Sequence, residues 1–215
     1  MRFPPVRYLD RQDAGRRLAP SVQALGLHEP LVVGLARGGV LVAAEVARTL
    51  GMSLDVTVAR KLGAPSDPEF AIGAVAPGVV HLEPFTEGLH IPAAYLERAV
   101  ARERETLAML ERLYRGRKAA LAVMARDVVL VDDGLATGAT AVAAVLSLRL
   151  GRPRSITLAV PVAAADSIAA LRHRFDGLVC PFAPVPFGAV GDHYVDFSPV
   201  PDDAVHAALK EFPAY

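Results

Sequence analysis

Two adjacent carboxylates, Asp132 and Asp133, follow an apolar run and precede a turn of small residues in the segment VVLVDDGLATGAT, Val128 to Thr140. A turn of that kind, opening a helix, points free backbone N–H groups at a ligand, and the helix dipole favours negative charge there. Gly134, Ala136, Gly138 and Ala139 are small enough to let a phosphate approach the backbone, and Thr137 and Thr140 add hydroxyl donors. The carboxylates would repel that phosphate; they suit neutral hydroxyls, as on a sugar, or a divalent cation. The residues describe a ligand with a phosphate at one end and a diol or metal beside it, and a phosphorylated ribose fits. The usual nucleotide motifs do not. Gly34 to Gly39 reads G-x-x-x-G-G and is followed by Val40, which matches neither the dinucleotide fingerprint nor the P-loop, and there is no G-x-S-x-G nucleophile elbow.

Such a site needs strands to carry it. LVVGL, 31–35, is a short β-branched run that enters the glycine-rich turn ARGG and then a helical pattern ending at Gly51. LDVTVA, 54–59, reads as the next strand and runs into Arg60 and Lys61. VVLVD, 128–132, feeds the small-residue turn and a helix over about 139–150; a strand at 155–160, a helix at about 164–173 and a strand at 177–180 complete the alternation. Continuous apolar strands alternating with helices imply a parallel sheet covered on both faces. Before this core, residues 10–26 have the spacing of an amphipathic helix. Residues 62–78, rich in Gly, Pro, Ser and Asp, read as a long loop with a hairpin-like piece. Residues 92–116 read as the longest helix, with Leu96, Val100, Leu107, Leu110 and Tyr114 on one face, Glu111 set four before Arg115, and the charged face in solvent. The tail from 181 is rich in Pro and Gly with interspersed aromatics, and PDDAVHAALKEF makes a last short helix.

The whole-chain figures narrow the function classes. At 215 residues, 53% apolar and 21% charged, the chain is long enough for one α/β domain with a real core, and no repeat or linker divides it. Lys plus Arg and Asp plus Glu are each 23, so no net field draws nucleic acid or an anionic membrane surface. The longest nearly apolar run, Ile156 to Ala165, is ten residues and contains Pro161, about half of what a bilayer span takes. Arg2 to Arg11 has no apolar stretch of the signal-peptide kind. The lone cysteine, Cys180, can form no internal disulfide, has no zinc-like spacing around it, and points to a reducing, cytoplasmic setting and a core role. Only Lys61, Lys118 and Lys210 are lysines.

VVLVDDGLATGAT resembles the phosphoribosyl pyrophosphate (PRPP) signature of the type I phosphoribosyltransferases, in which two acidic residues follow a hydrophobic strand and precede a T-G-x-T phosphate loop. The resemblance implies a parallel-sheet core of about 28–162 under a small hood made by the N-terminus and about 181–215. It also implies a magnesium ion, a homodimer, a place in nucleotide salvage, and transfer of phosphoribose to a nitrogenous base with release of pyrophosphate. Asp132 and Asp133 would contact the ribose hydroxyls and reach magnesium mainly through substrate or water, while Gly134 and Ala136 to Thr140 cradle the ribose phosphate. ARGG, Ala36, Arg37, Gly38 and Gly39, falls where the family places its pyrophosphate loop, often with a strained peptide. Arg60 and Lys61 fall where basic residues reach the pyrophosphate, and the loop after Lys61 where a mobile flap closes. Arg37 and Lys61 are thus catalytic candidates beside the carboxylates. The likeness fades over about 79–125, where the long helix resembles an insertion. Some purine-specific members carry an aspartate, thought to act as base, where this chain has Ala136, which disfavours a 6-oxopurine acceptor.

Each feature also has a plainer reading. Asp132 or Asp133 can merely cap a helix, and Arg37, Arg60 and Lys61 can be ordinary polar turn residues. What favours the site is their shared place at the C-terminal ends of parallel strands, where open α/β sheets bind ligands. His193 reads as structural; Phe187 and Tyr194 are candidates to stack on a base. A rival of another class is a non-catalytic protein that senses PRPP or a nucleotide; PRPP synthesis needs a longer, two-domain chain.

Overall fold

In the computed structural model, which describes residues 7–116 and 121–212, the chain opens with α1 (Arg11–Gln23), β1 (Leu31–Ala36), α2 (Gly38–Leu50) and β2 (Ser53–Val58). Three short strands follow, β3 (Arg60–Gly63), β4 (Ala71–Ala76) and β5 (Val79–Leu82), then a 3-10 turn over Pro84–Leu89 and α3 (Ala93–Arg115). The second half runs β6 (Asp127–Val131), α4 (Ala139–Arg149), β7 (Ser155–Ala159), α5 (Ala165–Leu171), β8 (Gly177–Val179), a 3-10 turn over Val190–His193, and α6 (Asp202–Lys210).

The apolar runs become strands because both of their faces are buried. The parallel sheet has the order β2-β1-β6-β7-β8. Val32, Val129 and Val131 pack on one side with α2, α3 and α6, while Leu31, Val33, Leu35, Val128 and Leu130 pack on the other with α4. With side chains alternating across the sheet, each face needs its own apolar set, so the strands read as unbroken hydrophobic runs. Each fully buried Val or Leu contributes about 1.5–3 kcal/mol. The glycine that ends α2, Gly51, adopts the left-handed conformation (φ 64°) and caps the helix as its sequence position suggests.

Strand order decides where a ligand can bind. From β1 the chain steps outward to β2, whereas β6 lies on the other side of β1 and leads away to β7 and β8. The loops leaving β1 and β6 therefore diverge and open a crevice at the C-terminal edge, the topological switch point of such sheets. Those two loops are Arg37 to Gly39 and Asp132 to Gly138.

Within 62–78, expected as a long loop with a hairpin-like piece, β3 and β4 pair as an antiparallel hairpin, and β5 extends it to a second sheet in the order β3-β4-β5. Arg60 and Lys61 consequently start β3 rather than ending the preceding strand. Gly63 and Gly73 sit within it at close backbone approaches: a Cβ on Gly73 would press into β5 and one on Gly63 into Pro68, so these glycines serve strand packing as well as turning. The long helix has the expected apolar face, with Leu107 and Tyr114 buried and Leu96, Val100 and Leu110 against the same core. Its charged side is not simply solvated: Glu103 is 7% exposed, and Arg115 pairs at 3.2 Å with Asp55 of β2. Tyr8 pairs with Tyr194 as a parallel bridge, which brings the N-terminal segment against the tail. Lys118, residues 1–6 and residues 213–215 lie outside the described residues.

Candidate functional site

The peptide between Ala36 and Arg37 is cis. Beyond it the chain enters α2 through two glycines that lie directly on the acidic pair. A Cβ on Gly38 would run into the Asp133 carboxylate, and one on Gly39 would lie 2.5 Å from the Val131 carbonyl oxygen and 2.8 Å from the Asp132 Cα. No side chain fits at either place, which is the physical reason for G-G. The two segments singled out in the sequence thus meet across the β1/β6 crevice.

The carboxylates are oriented from several directions. Asp132 Oδ1 accepts the backbone N–H of Asp133 at 2.9 Å, and Asp133 Oδ2 accepts from Arg11 Nε at 2.7 Å. The Tyr194 hydroxyl donates to the Asp133 carbonyl at 2.6 Å. Burial raises the pKa of Asp132 well above the usual carboxylate range, and the neighbouring Asp133 charge adds to it. Burial raises that of Asp133 too, against the pull of Arg11. A hydroxyl donor or a cation beside the pair would offset the cost of burying two neighbouring carboxylates.

Leu135 anchors the loop that follows. It is 1% exposed, and its N–H donates to the Val162 carbonyl (3.0 Å) while its carbonyl accepts from Ala164 (3.0 Å). The Ser167 hydroxyl donates to the Ala136 carbonyl. Gly138, left-handed at φ 79°, turns the chain into α4 with no side-chain cap, so the first-turn N–H groups are left to whatever binds. Ala136 and Thr137 are exposed and Thr140 half-buried; Gly138 and Ala139 are buried. Asp132 and Asp133 therefore do not serve as the cap of α4, the plainer reading of their place.

The cationic candidates stand differently. Arg37 reaches Asp202 at the start of α6 (3.8 Å), and Asp202 also accepts the Tyr114 hydroxyl. Arg60 donates to the buried Glu103 of α3 (3.1 Å), which also takes Arg102 (3.1 Å). Lys61 donates to the Glu69 carboxylate (2.9 Å) and carbonyl (3.1 Å) across the hairpin. All three follow the C-terminal ends of β1 and β2, each tied to an acidic partner.

Of the two aromatic candidates, Tyr194 has no free face. It is 3% exposed, its ring lies between Tyr8 (5.4 Å) and Phe197 (4.9 Å), and its hydroxyl is spent on Asp133. It supports the carboxylate loop, which is a correction to its reading as a base-stacking residue. Phe187 is half-buried against His193 (5.2 Å), itself buried, whose Nε2 lies 2.8 Å from the Phe187 carbonyl. Burial pushes the Cys180 thiol up to about 11, so it is a poor nucleophile. Sequence reasoning missed Arg11, Glu103 and Asp202. For Arg11 there was a signal, since it precedes Ala14 by three and Leu18 by seven and so stands on the buried stripe of α1.

The model of the phosphoribosyl transferase domain matches residues 8–189. Two relatives from Mycobacterium tuberculosis, named "Putative phosphoribosyl transferase Rv0571c" and "Putative phosphoribosyl transferase MT0597", are each 42% identical over 204 residues, covering 93% of this chain and 46% of their own length. The chain thus spans about half the length of the curated relatives it matches. A solved structure, TT1426 from Thermus thermophilus, is 46% identical with a TM-score of 0.81, and the match covers 96% of this chain and 99% of that one.

Proposed function

Because this chain belongs to the phosphoribosyl transferase domain family, we propose that it transfers phosphoribose from PRPP to a nitrogenous base and releases pyrophosphate. The observation that carries the reading is the contact of Gly38 and Gly39 with Asp132 and Asp133 at the switch point, with the α4 loop alongside. The loop from Ala136 to Thr140 suits the 5-phosphate, the acidic pair the ribose hydroxyls, and Arg37, Gly38 and Gly39 the departing pyrophosphate.

The bond that breaks joins the anomeric carbon to pyrophosphate oxygen, and the bond that forms joins the same carbon to a base nitrogen. Charge grows on the pyrophosphate as the sugar becomes oxocarbenium-like. Arg37, the N–H groups of the glycine turn, Lys61 and Arg60 are the groups placed to hold that charge. Ala136 cannot take a proton from the base.

A magnesium ion fits the donors present. Among the described residues no group of three or more His, Cys, Asp or Glu could cage a metal, but Asp132 and Asp133 together with substrate oxygens and water are the mixed set that magnesium prefers. Bound with PRPP, it would neutralise pyrophosphate charge. The lone cysteine suits a reducing cytoplasm, and salvage of bases and a homodimer belong to the same reading. No helix among the described residues is long and apolar enough to cross a membrane.

The test is a panel of bases with PRPP and magnesium, read as pyrophosphate release, beside a melting curve with PRPP. We expect PRPP to raise Tm by mass action, one class of base to give turnover, and Asp132→Asn with Asp133→Asn to abolish the Tm shift. A PRPP shift without turnover on any base makes the protein a sensor. No shift at millimolar PRPP overturns both readings.

A further inference from the structure

Arg11, the first residue of α1, is a buried cation without a part in the family signature, and two other segments, the loop after β6 and the tail, hold it. Its Nε donates to Asp133 Oδ2 at 2.7 Å, a second nitrogen donates to the Ser198 carbonyl at 2.9 Å, and the guanidinium lies 4.0 Å over the Phe197 ring. The ion pair is 10% and 17% exposed at the two side chains. Burying a charged pair at such cost is weak evidence for stability, because well-packed apolar residues usually do as well. Its geometry is more telling.

A vicinal diol needs two acceptor oxygens in a set relation. The Asp133 N–H engages Asp132 Oδ1, and Arg11 engages Asp133 Oδ2, so each carboxylate has an oxygen held in a set place. The restraint on Asp132 comes from the chain itself, whereas on Asp133 Arg11 is the cationic partner, beside its own backbone N–H and the Asp132 carboxyl.

We propose that Arg11 is a positioning residue that sets the Asp133 carboxylate as acceptor for a ribose hydroxyl, and so makes the site demand a sugar with both ring hydroxyls. The inference builds on the phosphoribosyl reading. Through Ser198 and Phe197 the same guanidinium ties that carboxylate to the hood, so the diol acceptor and the tail are ordered together. Arg11 touches no substrate; it acts through Asp133.

The experiment is titration calorimetry of the full chain with three probes, ribose 5-phosphate, 2-deoxyribose 5-phosphate and inorganic phosphate. The wild type is expected to prefer ribose 5-phosphate over the deoxy sugar by about tenfold or more, the scale of one charge-assisted hydrogen bond. Arg11→Met keeps the apolar stem and is expected to erase that preference while phosphate binding changes less than about twofold. A packing defect alone would weaken all three probes together. If Arg11→Met does not fold, Arg11→Lys carries the test, with a preference reduced to about two- to threefold because charge without the fork holds Asp133 less firmly. A variant that keeps the full preference overturns the role of Arg11. A wild type that binds phosphate but neither sugar overturns the phosphoribosyl reading itself.

Discussion

The crevice between β1 and β6 and the small sheet β3-β4-β5 both carry candidate site residues, and they are built to opposite rules. In the crevice the acidic pair and its supports are packed in: Arg11 and Asp133 are 10% and 17% exposed, Leu135 is 1% exposed, and the glycines lie on backbone. Around the small sheet the candidate cations lie open, Arg60 at 43% and Lys61 at 37%, and Lys61 is held by an exposed carboxylate, Glu69, that a ligand's charge could replace. Packed groups are held in their geometry before a ligand arrives; exposed ion pairs are weak and exchange partners readily. One region is suited to recognise the part of the substrate that stays put, the other to follow charge that moves.

The sharpest way to break this contrast is a single methyl group in each region. Gly39→Ala puts a Cβ 2.5 Å from the Val131 carbonyl oxygen and 2.8 Å from the Asp132 Cα, atoms of backbone that have nowhere to go. We expect a loss of about 1–3 kcal/mol in stability, as for other overpacked sites, and no measurable PRPP binding. Gly88, in the turn after β5, would meet nothing within 4 Å, and Gly88→Ala should leave both unchanged. Melting curves with and without PRPP decide it. A harmless Gly39→Ala would show that the crevice yields as easily as the periphery.

The same contrast explains what could be read before any coordinates. The parallel core was legible because burial on both faces writes itself into the strands as unbroken apolar runs such as Val128 to Val131, and because Asp132, Asp133 and the small residues follow at once. The small sheet was not. Its strands are four to six residues long, and the short apolar run of β4 stands among turns rich in Gly and Pro, so only a hairpin-like piece showed within what read as loop. The partners of the cations were illegible for another reason. Arg37 meets Asp202 across 165 positions and Arg60 meets Glu103 across 43, and no local spacing announces such pairs. Tyr194 was misread because an aromatic in a Pro-rich tail looks the same whether its ring is free or packed.

A second substitution moves the contrast from stability to rate. Lys61→Ala removes an ammonium that is 37% exposed and, among the described residues, tied to Glu69, so Tm should shift by no more than about a degree or two, as for surface changes generally. Turnover at saturating PRPP should fall about ten- to a hundredfold, somewhat less than for a buried electrostatic donor, because charge grows on pyrophosphate only as the bond breaks. Pyrophosphate release against PRPP concentration separates the cases. An effect on KM alone would mean that Lys61 binds the ground state and the transition state equally.

The smallest effect expected is the most pointed. Glu69 holds Lys61 from a side chain that is 92% exposed, and such a pair contributes little to the fold because water and salt screen it and two long side chains must be ordered to make it. Glu69→Gln should therefore leave Tm where it is. It also removes a negative charge that competes with pyrophosphate for the same ammonium. PRPP should then bind about two- to fivefold more tightly, the range of one weak surface pair, and the gain should fade as salt is raised. In the crevice the reverse holds: Asp133→Asn takes the anion from Arg11 and should weaken PRPP at every salt concentration, since a buried partner cannot be replaced by ions from solution. If Glu69→Gln instead weakens PRPP, the carboxylate positions Lys61 rather than restraining it, and the small sheet is preorganised in the same sense as the crevice.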